Sequence, residues 1–446
     1  MDVRGVLVKM RKGLKLFSLF SAAMIFFTAS FDVWANPPKS GQNIQDLQLN
    51  SVIKISNLSE LNSLRELSET GENFQGKTII LENDIYITKD QTKDGESVEF
   101  KSIFSKNAGF KGVFDGNGKT LHFNVKSGEV LGAVSEGGVV KNLNVCGSFA
   151  GDLFVGILAF NNGGLIENCR IDAVVSNDVS QGVCAFCFQN DKSGVIRNCE
   201  VKGKLLIDCM NGAGMCQMGG ICGANCGLIE FCQVSAELLN IAKRGEGSIG
   251  FPHAETGGIA AFSEGIVRNC SVVANIINEA EGEFYGTAGG LISVNNGLVE
   301  NSTFKGTIAA FRAGGVVGDN YAVLKSCKVE AKIKGREVAE FAGSNMWGDE
   351  SLYDFGIYRA TSEGKGPQGV VDGCEFFGFV DSVDEERVAV FENKSVGALL
   401  DGKEVLFAPK ITNCKINGKI IKREVDSHYT IPAGAGRKMG GKMVGG

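Results

Sequence analysis

The sequence predicts an all-β fold, a β-solenoid in which about nine parallel coils stack on one another behind an N-terminal capping helix. Three observations predict it. A short phrase recurs, opened by Gly-Gly-(apolar) and closed by Gly-(apolar)-(apolar)-x-Asn-Cys. It reads Gly164-Leu165-Ile166-Glu167-Asn168-Cys169, Gly194-Val195-Ile196-Arg197-Asn198-Cys199 and Gly265-Ile266-Val267-Arg268-Asn269-Cys270. Self-similarity on this scale marks one structural unit stacked on copies of itself. After each Cys the apolar residues alternate, the period of a strand with one buried face. The 446 residues also hold 61 glycines but only 6 prolines, a balance that suits tight turns between short strands.

The elements follow in chain order. Residues 1–35 read as an export signal. Arg4, Lys9, Arg11, Lys12 and Lys15 precede an uncharged apolar stretch from Leu16 to Phe31, and Ala35 offers a cut that leaves Asn36 first. No cysteine follows the cut to carry a lipid anchor, and no later stretch is apolar enough to span a bilayer. The leader carries five basic and two acidic residues, so its loss takes the net charge from −6 to −9. That charge excludes nucleic acid and anionic lipid as electrostatic partners.

Residues 36–51 form a polar linker, and residues 52–125 an N-terminal cap with the first strands. Asn57-Leu58-Ser59-Glu60 resembles a capping box, and Leu58, Leu61, Leu64 and Leu67 recur behind it. The spacing predicts an amphipathic helix over 58–69, laid across the open end of the stack. Residues 76–87 read as strand, turn, strand. Asp115-Gly116-Asn117-Gly118 is a turn between two further apolar strands.

Residues 126–425 carry the repeats. Their common position falls at Leu143, Cys169, Cys199, Cys232, Cys270, Ser302, Cys327, Cys374 and Cys414, in steps of 25 to 47 residues. The shortest steps approximate one bare coil, so the excess belongs to loops at about 239–256, 275–288 and 334–368, leaving along one edge. Cys169, Ile171, Ala173 and Val175 share a face, whereas Ile166 breaks the parity. A corner therefore falls at Asn168, a residue that tolerates the left-handed conformation. Equivalent asparagines at 142, 198, 269, 301 and 413 are expected to stack amide on amide, with Phe231, Ser326 and Gly373 as interruptions. Residues 426–446 form a flexible Gly/Lys-rich tail.

The stretch Gly289-Gly290-Leu291-Ile292-Ser293-Val294-Asn295-Asn296-Gly297-Leu298-Val299-Glu300-Asn301-Ser302 resembles the GLUG motif of secreted bacterial proteins. The turn Phe114-Asp115-Gly116-Asn117-Gly118-Lys119-Thr120-Leu121 is similar to the one leading into such repeats. The likeness covers about residues 75–420. It implies a right-handed parallel β-helix of the pectin-lyase-like kind, in surface proteins, adhesins and non-catalytic parts of large secreted enzymes. It implies no catalytic residue. This chain departs from the pattern in its cysteine load.

Fourteen cysteines in an exported chain first suggest disulfides. Seven of them share one inward repeat position. Stacked strands lie about 4.8 Å apart, wider than the roughly 3.5–4.5 Å between Cβ atoms that a disulfide needs. A column of free thiols packing as small hydrophobes is expected. Cys184 and Cys222 are expected to align on neighbouring coils. Cys187, Cys209, Cys216 and Cys226, nearer turns and loops, are the disulfide candidates. Cys184-x-x-Cys187 is half a zinc signature, but the cysteine spacings follow the repeat, so no metal and no cofactor is expected. Of His122, His253 and His428, only His253 lies in a long loop.

Two constellations could carry function. Asp349, Glu350 and Asp354 are weak candidates for the paired carboxylates of glycoside hydrolysis. Trp347, Tyr353, Tyr358 and Arg359 crowd the longest loop, where aromatic faces beside hydrogen-bonding groups suit a sugar ring or a protein surface. The expectation is a monomeric, exported or cell-surface, adhesin-like binding module for a glycan or a host or surface protein. Its candidate binding residues are Trp347, Tyr353, Tyr358, Arg359 and His253. The rival expectations are a polysaccharide hydrolase or lyase and a structural envelope or matrix component.

Overall fold

A computed structural model describes residues 49–87, 101–104, 106–107, 109–125, 129–150, 154–177, 182–209, 215–242, 253–280, 286–345, 369–382, 396–400, 403–407 and 410–422. The leader, the tail and all but the last three linker residues lie outside them.

The apolar alternation becomes three sheets of parallel strands, the signature of a parallel β-helix. The first sheet has twelve short strands, from Val52–Ile55 to Lys410–Thr412. The nine repeats supply nine of these. Three more come from the segment expected to be a cap: Val52–Ile55, Thr78–Leu81 and Val113–Asp115 pair in register ahead of Val139–Lys141. The nine repeat coils are joined by these first strands, which, among the described residues, extend the first sheet without a partner in the third. The extra strands lack the Asn-Cys phrase but keep the inward alternation that builds the sheet.

The second sheet contains the long strands that follow each corner, such as Arg170–Asn177 and Glu200–Cys209. It also contains a file of shorter strands, including Met215–Gly219, His253–Gly257 and Gly286–Gly289. The third sheet has eight strands, from Ala133–Val134 to Ala342–Asn345. One antiparallel hairpin, Val396–Leu400 with Lys403–Phe407, stands outside the three sheets.

Helix α1 (Leu58–Glu69) occupies the predicted span. Asn57 Oδ1 accepts the Glu60 N–H at 3.0 Å, and Glu60 Oε2 accepts the Ser56 N–H at 2.7 Å. One helix-end donor and the amide just before the cap are thereby satisfied. Leu61, Leu64 and Leu67 enter the same core as Ile53 and Ile55 of the first edge strand. Each buried leucine is worth about 1.5–3 kcal/mol, so the end of the stack is closed by burial.

The corner prediction holds in backbone geometry. Asn142, Asn168, Asn198, Asn269, Asn301 and Asn413 have φ between 48° and 55°, and the interrupting Phe231 and Ser326 adopt 55° and 52°. The stacked amides, however, stand at another corner. Asn162 donates to Asn190 and Asn190 to Asn225, each at 2.8 Å, and Asn225 donates to Ser263 at 3.1 Å. Asn295 and Asn320 continue the column with a 2.8 Å bond. At the left-handed corner Asn142 and Asn413 turn instead to Asp115 and Asp372. The physical reason is burial: Asn162, Asn190 and Asn225 are enclosed, so their amides must find partners inside the stack.

The glycines of the repeat leave no room for a side chain. A Cβ on Gly227 would strike the carbonyl oxygen of Gly194 one coil below, and one on Gly290 the carbonyl oxygen of Gly315 and the ring of Phe304.

Six of the seven column thiols, Cys169, Cys199, Cys232, Cys270, Cys327 and Cys374, are buried, and Cys414 is half-buried at the last coil. Each donates to the carbonyl two residues back, as Cys169 does to Glu167 at 3.3 Å and Cys199 to Arg197 at 3.2 Å. Ser302 makes the same bond to Glu300 at 2.8 Å, so its hydroxyl stands in for the thiol without disturbing the column.

Outside the first sheet runs a column of alternating charge. Register places Asp115, Lys141, Glu167, Arg197, Glu230, Arg268, Glu300, Lys325 and Asp372 one above another. Arg197 clasps Glu167 and Arg268 clasps Glu230 through Nε and Nη2, at 2.7–3.0 Å. A slip of one coil would set like charges in contact, so the column specifies stacking order.

Candidate functional site

Five consecutive coils contain a connecting segment between the long strand and the second file: residues 151–153, 178–181, 210–214, 243–252 and 281–285. In the next two coils Thr303–Gly314 and Lys328–Ala339 run straight through both files. Two expected insertions, at 239–256 and 275–288, thus arise at one position. The third differs. Residues 334–345 belong to strands and their corner, and the extra chain follows Asn345, between the third sheet and the first. The single edge expected for all three holds for two.

Beside that position two columns of side chains meet. Gln217, Glu255, Thr287, Arg312 and Glu337 share a register along the second file. Ala224, Phe262, Val294 and Asp319 share one along the third sheet. Arg312 joins them. Its Nη1 reaches both Asp319 oxygens at 3.0 and 3.2 Å, and its Nε donates to Glu337 Oε2 at 2.7 Å. Gln217 Nε2 donates to Glu255 Oε2 at 3.1 Å, and His253 Nε2 lies 3.9 Å from Glu255 Oε1. Phe262, Val294 and Tyr321 pack together against the same corner.

These carboxylates belong to the outside of the solenoid yet are nearly sealed, Glu255 being 2% and Asp319 5% exposed. Burial pushes the Asp319 carboxyl up, against the pull of Arg312, Asp319's ion-pair partner. Asp319, and then Glu337, holds the Arg312 guanidinium above its ordinary value, so the cation persists at any physiological pH. The arrangement is a fixed polar cluster beside an apolar wall, and Arg312 and Glu337, with 22% and 19% of their side chains exposed, are the charged members that reach solvent.

His253 is the one binding candidate from the sequence that this cluster takes in, at the start of its strand. Trp347, Tyr353, Tyr358 and Arg359, together with Asp349, Glu350 and Asp354, lie outside the described residues, as does His428. Sequence reasoning missed Arg312, Asp319 and Glu337. Asp319 alone had a signal: it stands next to the Asn320 of the amide column, at a position taken by Ala224, Phe262 and Val294 in other coils.

The cysteine candidates are also relocated. Cys187 and Cys216, expected near turns, are 0% and 1% exposed inside the core, and Cys187 carries a free thiol. Cys226 is half-buried and free, and the side chain of Cys209 lies outside the described residues. Cys187, rather than Cys184, stands opposite Cys222; Cys184 faces Gly219. The shift arises because the Gly-x-x-Cys register places Cys184 before the corner and Cys222 after it. Burial raises the thiols of Cys184 and Cys187, which makes them inert. Among the described residues no group of three or more His, Cys, Asp or Glu is set to hold a metal ion. No described helix is long and apolar enough to cross a membrane.

His122 belongs to a second, smaller group. Its Nδ1 lies 2.9 Å from Cys146 Sγ, and Tyr86 stacks on its ring at 4.2 Å. Burial, then Asp172 and Asp84, raises the Cys146 thiol, which argues against an activated nucleophile.

No family model and no curated protein matches the chain. Among solved structures it is similar to an IgA1 protease, with 11% identity and a TM-score of 0.32; the match covers 79% of this chain and 22% of that one. The chain thus spans about a fifth of the length of the protease it matches.

Proposed function

We propose that this chain is an exported, GLUG-type β-helix protein that acts as a non-catalytic, adhesin-like binding module for a glycan or a surface protein. The solenoid is a rigid platform, and recognition belongs to its outer corner and the segments that leave it. One observation carries the reading. The corner charges are already mutually engaged, Arg312 with Asp319 and Glu337, and Glu255 with Gln217. Side chains held in this way hydrogen-bond a ligand with little loss of entropy. A glycan and protein array probed with the purified chain tests it. Saturable binding without turnover is expected, and Arg312→Gln should weaken it. An array that stays blank with folded protein removes the reading.

A second reading, a carbohydrate-active enzyme, is favoured by one observation: the Asp319 carboxyl is raised by burial and could act as an acid. New reducing ends or unsaturated products from a polysaccharide panel, lost in Asp319→Asn, would select it over the binding module.

A further inference from the structure

We propose that the outer face of the second sheet, over its last four coils, binds a linear acidic polysaccharide. This rests on the reading of the chain as a glycan-binding module and places a binding surface away from the corner cluster.

Two phenylalanines carry the argument. Phe377 and Phe379 sit at alternate positions of the strand Glu375–Ser382 and point outward, 63% and 45% exposed. Large apolar side chains on a solvent face are a binding signal when they are grouped. Their neighbours are charged, and cations are in excess. Register sets Phe377 opposite Glu330 and Asn417, and Phe379 opposite Lys332. Lys328 and Lys415 share Glu375, at 3.5 and 3.1 Å, and Lys305 pairs with Glu330 at 2.8 Å. Four lysines thus surround two glutamates, in a chain whose net charge is −6. A shallow groove crosses these strands from Val273 past Lys305 and Lys328 to Phe377 and Lys415.

The geometry suits a repeating anion. Successive coils lie about 4.8 Å apart, so the groove sets the ammonium groups of Lys305, Lys328 and Lys415 on three coils around the Phe377 ring, with Phe379 two residues further along the same strand. The phenyl faces stack on sugar rings, and the lysines meet the acid groups. Exposed ion pairs of this kind contribute little, because water and salt screen them, so a polyanion readily displaces Glu375 from its two lysines. A second copy of this chain is disfavoured, because identical cationic faces would repel.

Affinity electrophoresis of the full chain tests the proposal, through native gels holding alginate, chondroitin sulfate, dextran or polyglutamate. The acidic polysaccharides should retard it, dextran should not, and about 0.5 M salt should abolish the effect. Phe377→Ala with Phe379→Ala should weaken binding about tenfold, and Lys328→Glu with Lys415→Glu should abolish it. Continued protection of the Cys374 thiol reports that each variant is folded. Acidic binding that survives both pairs of substitutions, or retention by dextran alone, overturns this surface and leaves the glycan-binding reading intact. Retention by polyglutamate alone overturns the polysaccharide in favour of an acidic protein. No retention by any gel overturns this surface, while the glycan and protein array decides the binding-module reading separately.

Discussion

Asn162 Nδ2 donates to Asn190 Oδ1 at 2.8 Å, and both amides are completely buried. Asn190 passes the pattern on to Asn225 and also reaches the Gly194 carbonyl at 3.3 Å. One amide therefore serves three coils. Asn190 and Asn225 are each donor to the coil above and acceptor from the coil below, so their polar atoms are satisfied only when both neighbouring coils are in place.

Replacing Asn190 by Leu should accordingly destabilise the protein by about 3 kcal/mol, since it strands the Asn162 donor and the Asn225 acceptor in a buried setting. Urea unfolding followed by circular dichroism measures it, and a midpoint within error of the parent would refute the column's role. Asn190→Ser, which retains a donor and an acceptor, should cost less.

The charge column predicts a different pattern. Glu230 lies between Arg197 and Arg268 in register and is 8% exposed. Glu230→Arg places three cations on successive coils and should cost about 2–4 kcal/mol. Adding Arg268→Glu should restore part of the loss, because it returns an opposite charge to one side. Absence of any coupling in the double-mutant cycle would show that the column is passive.

Phe231 holds a φ of 55° at a corner where most coils use asparagine, and it is 51% exposed. A left-handed residue with a bulky side chain costs about 1–2 kcal/mol. Phe231→Asn should stabilise the fold by about 1 kcal/mol, read as a rise in melting temperature. A destabilised variant would mean that the ring makes contacts worth more than the backbone strain.

The thiols should report burial directly. In the native protein Cys146, Cys226 and Cys414, all half-buried, should react first with a thiol reagent. Cys169, Cys199, Cys232, Cys270, Cys327 and Cys374 should label only on unfolding, because burial excludes the reagent. Rapid native labelling of Cys199, followed by peptide mapping, would contradict a closed core.

Much of the architecture was legible one coil at a time. The parity break at Ile166 and Asn168 located the left-handed corner, and Asn57 with Glu60 located helix α1 to the residue. These are local matters of backbone conformation and hydrogen bonding, decided within a few residues. The first three strands were not counted as coils, because Ile53, Ile79 and Phe114 keep the buried alternation without the Asn-Cys phrase. The alternation of Glu167, Arg197, Glu230, Arg268 and Glu300 was visible just before each corner residue, but its meaning depends on register.

By itself, then, the chain's order of residues determined that it coils, where its left-handed corner falls and that the repeat-position thiols face inward. A repeated phrase imposes the same dihedral choices and the same buried face on every copy. Only the tertiary structure decided which asparagines share hydrogen bonds, that Cys187 meets Cys222, and that Arg312 gathers Asp319 and Glu337. Those partners lie on different strands or coils. Their meeting is set by the length of each insertion and by the packing of one coil on the next, neither of which leaves a mark within a single repeat.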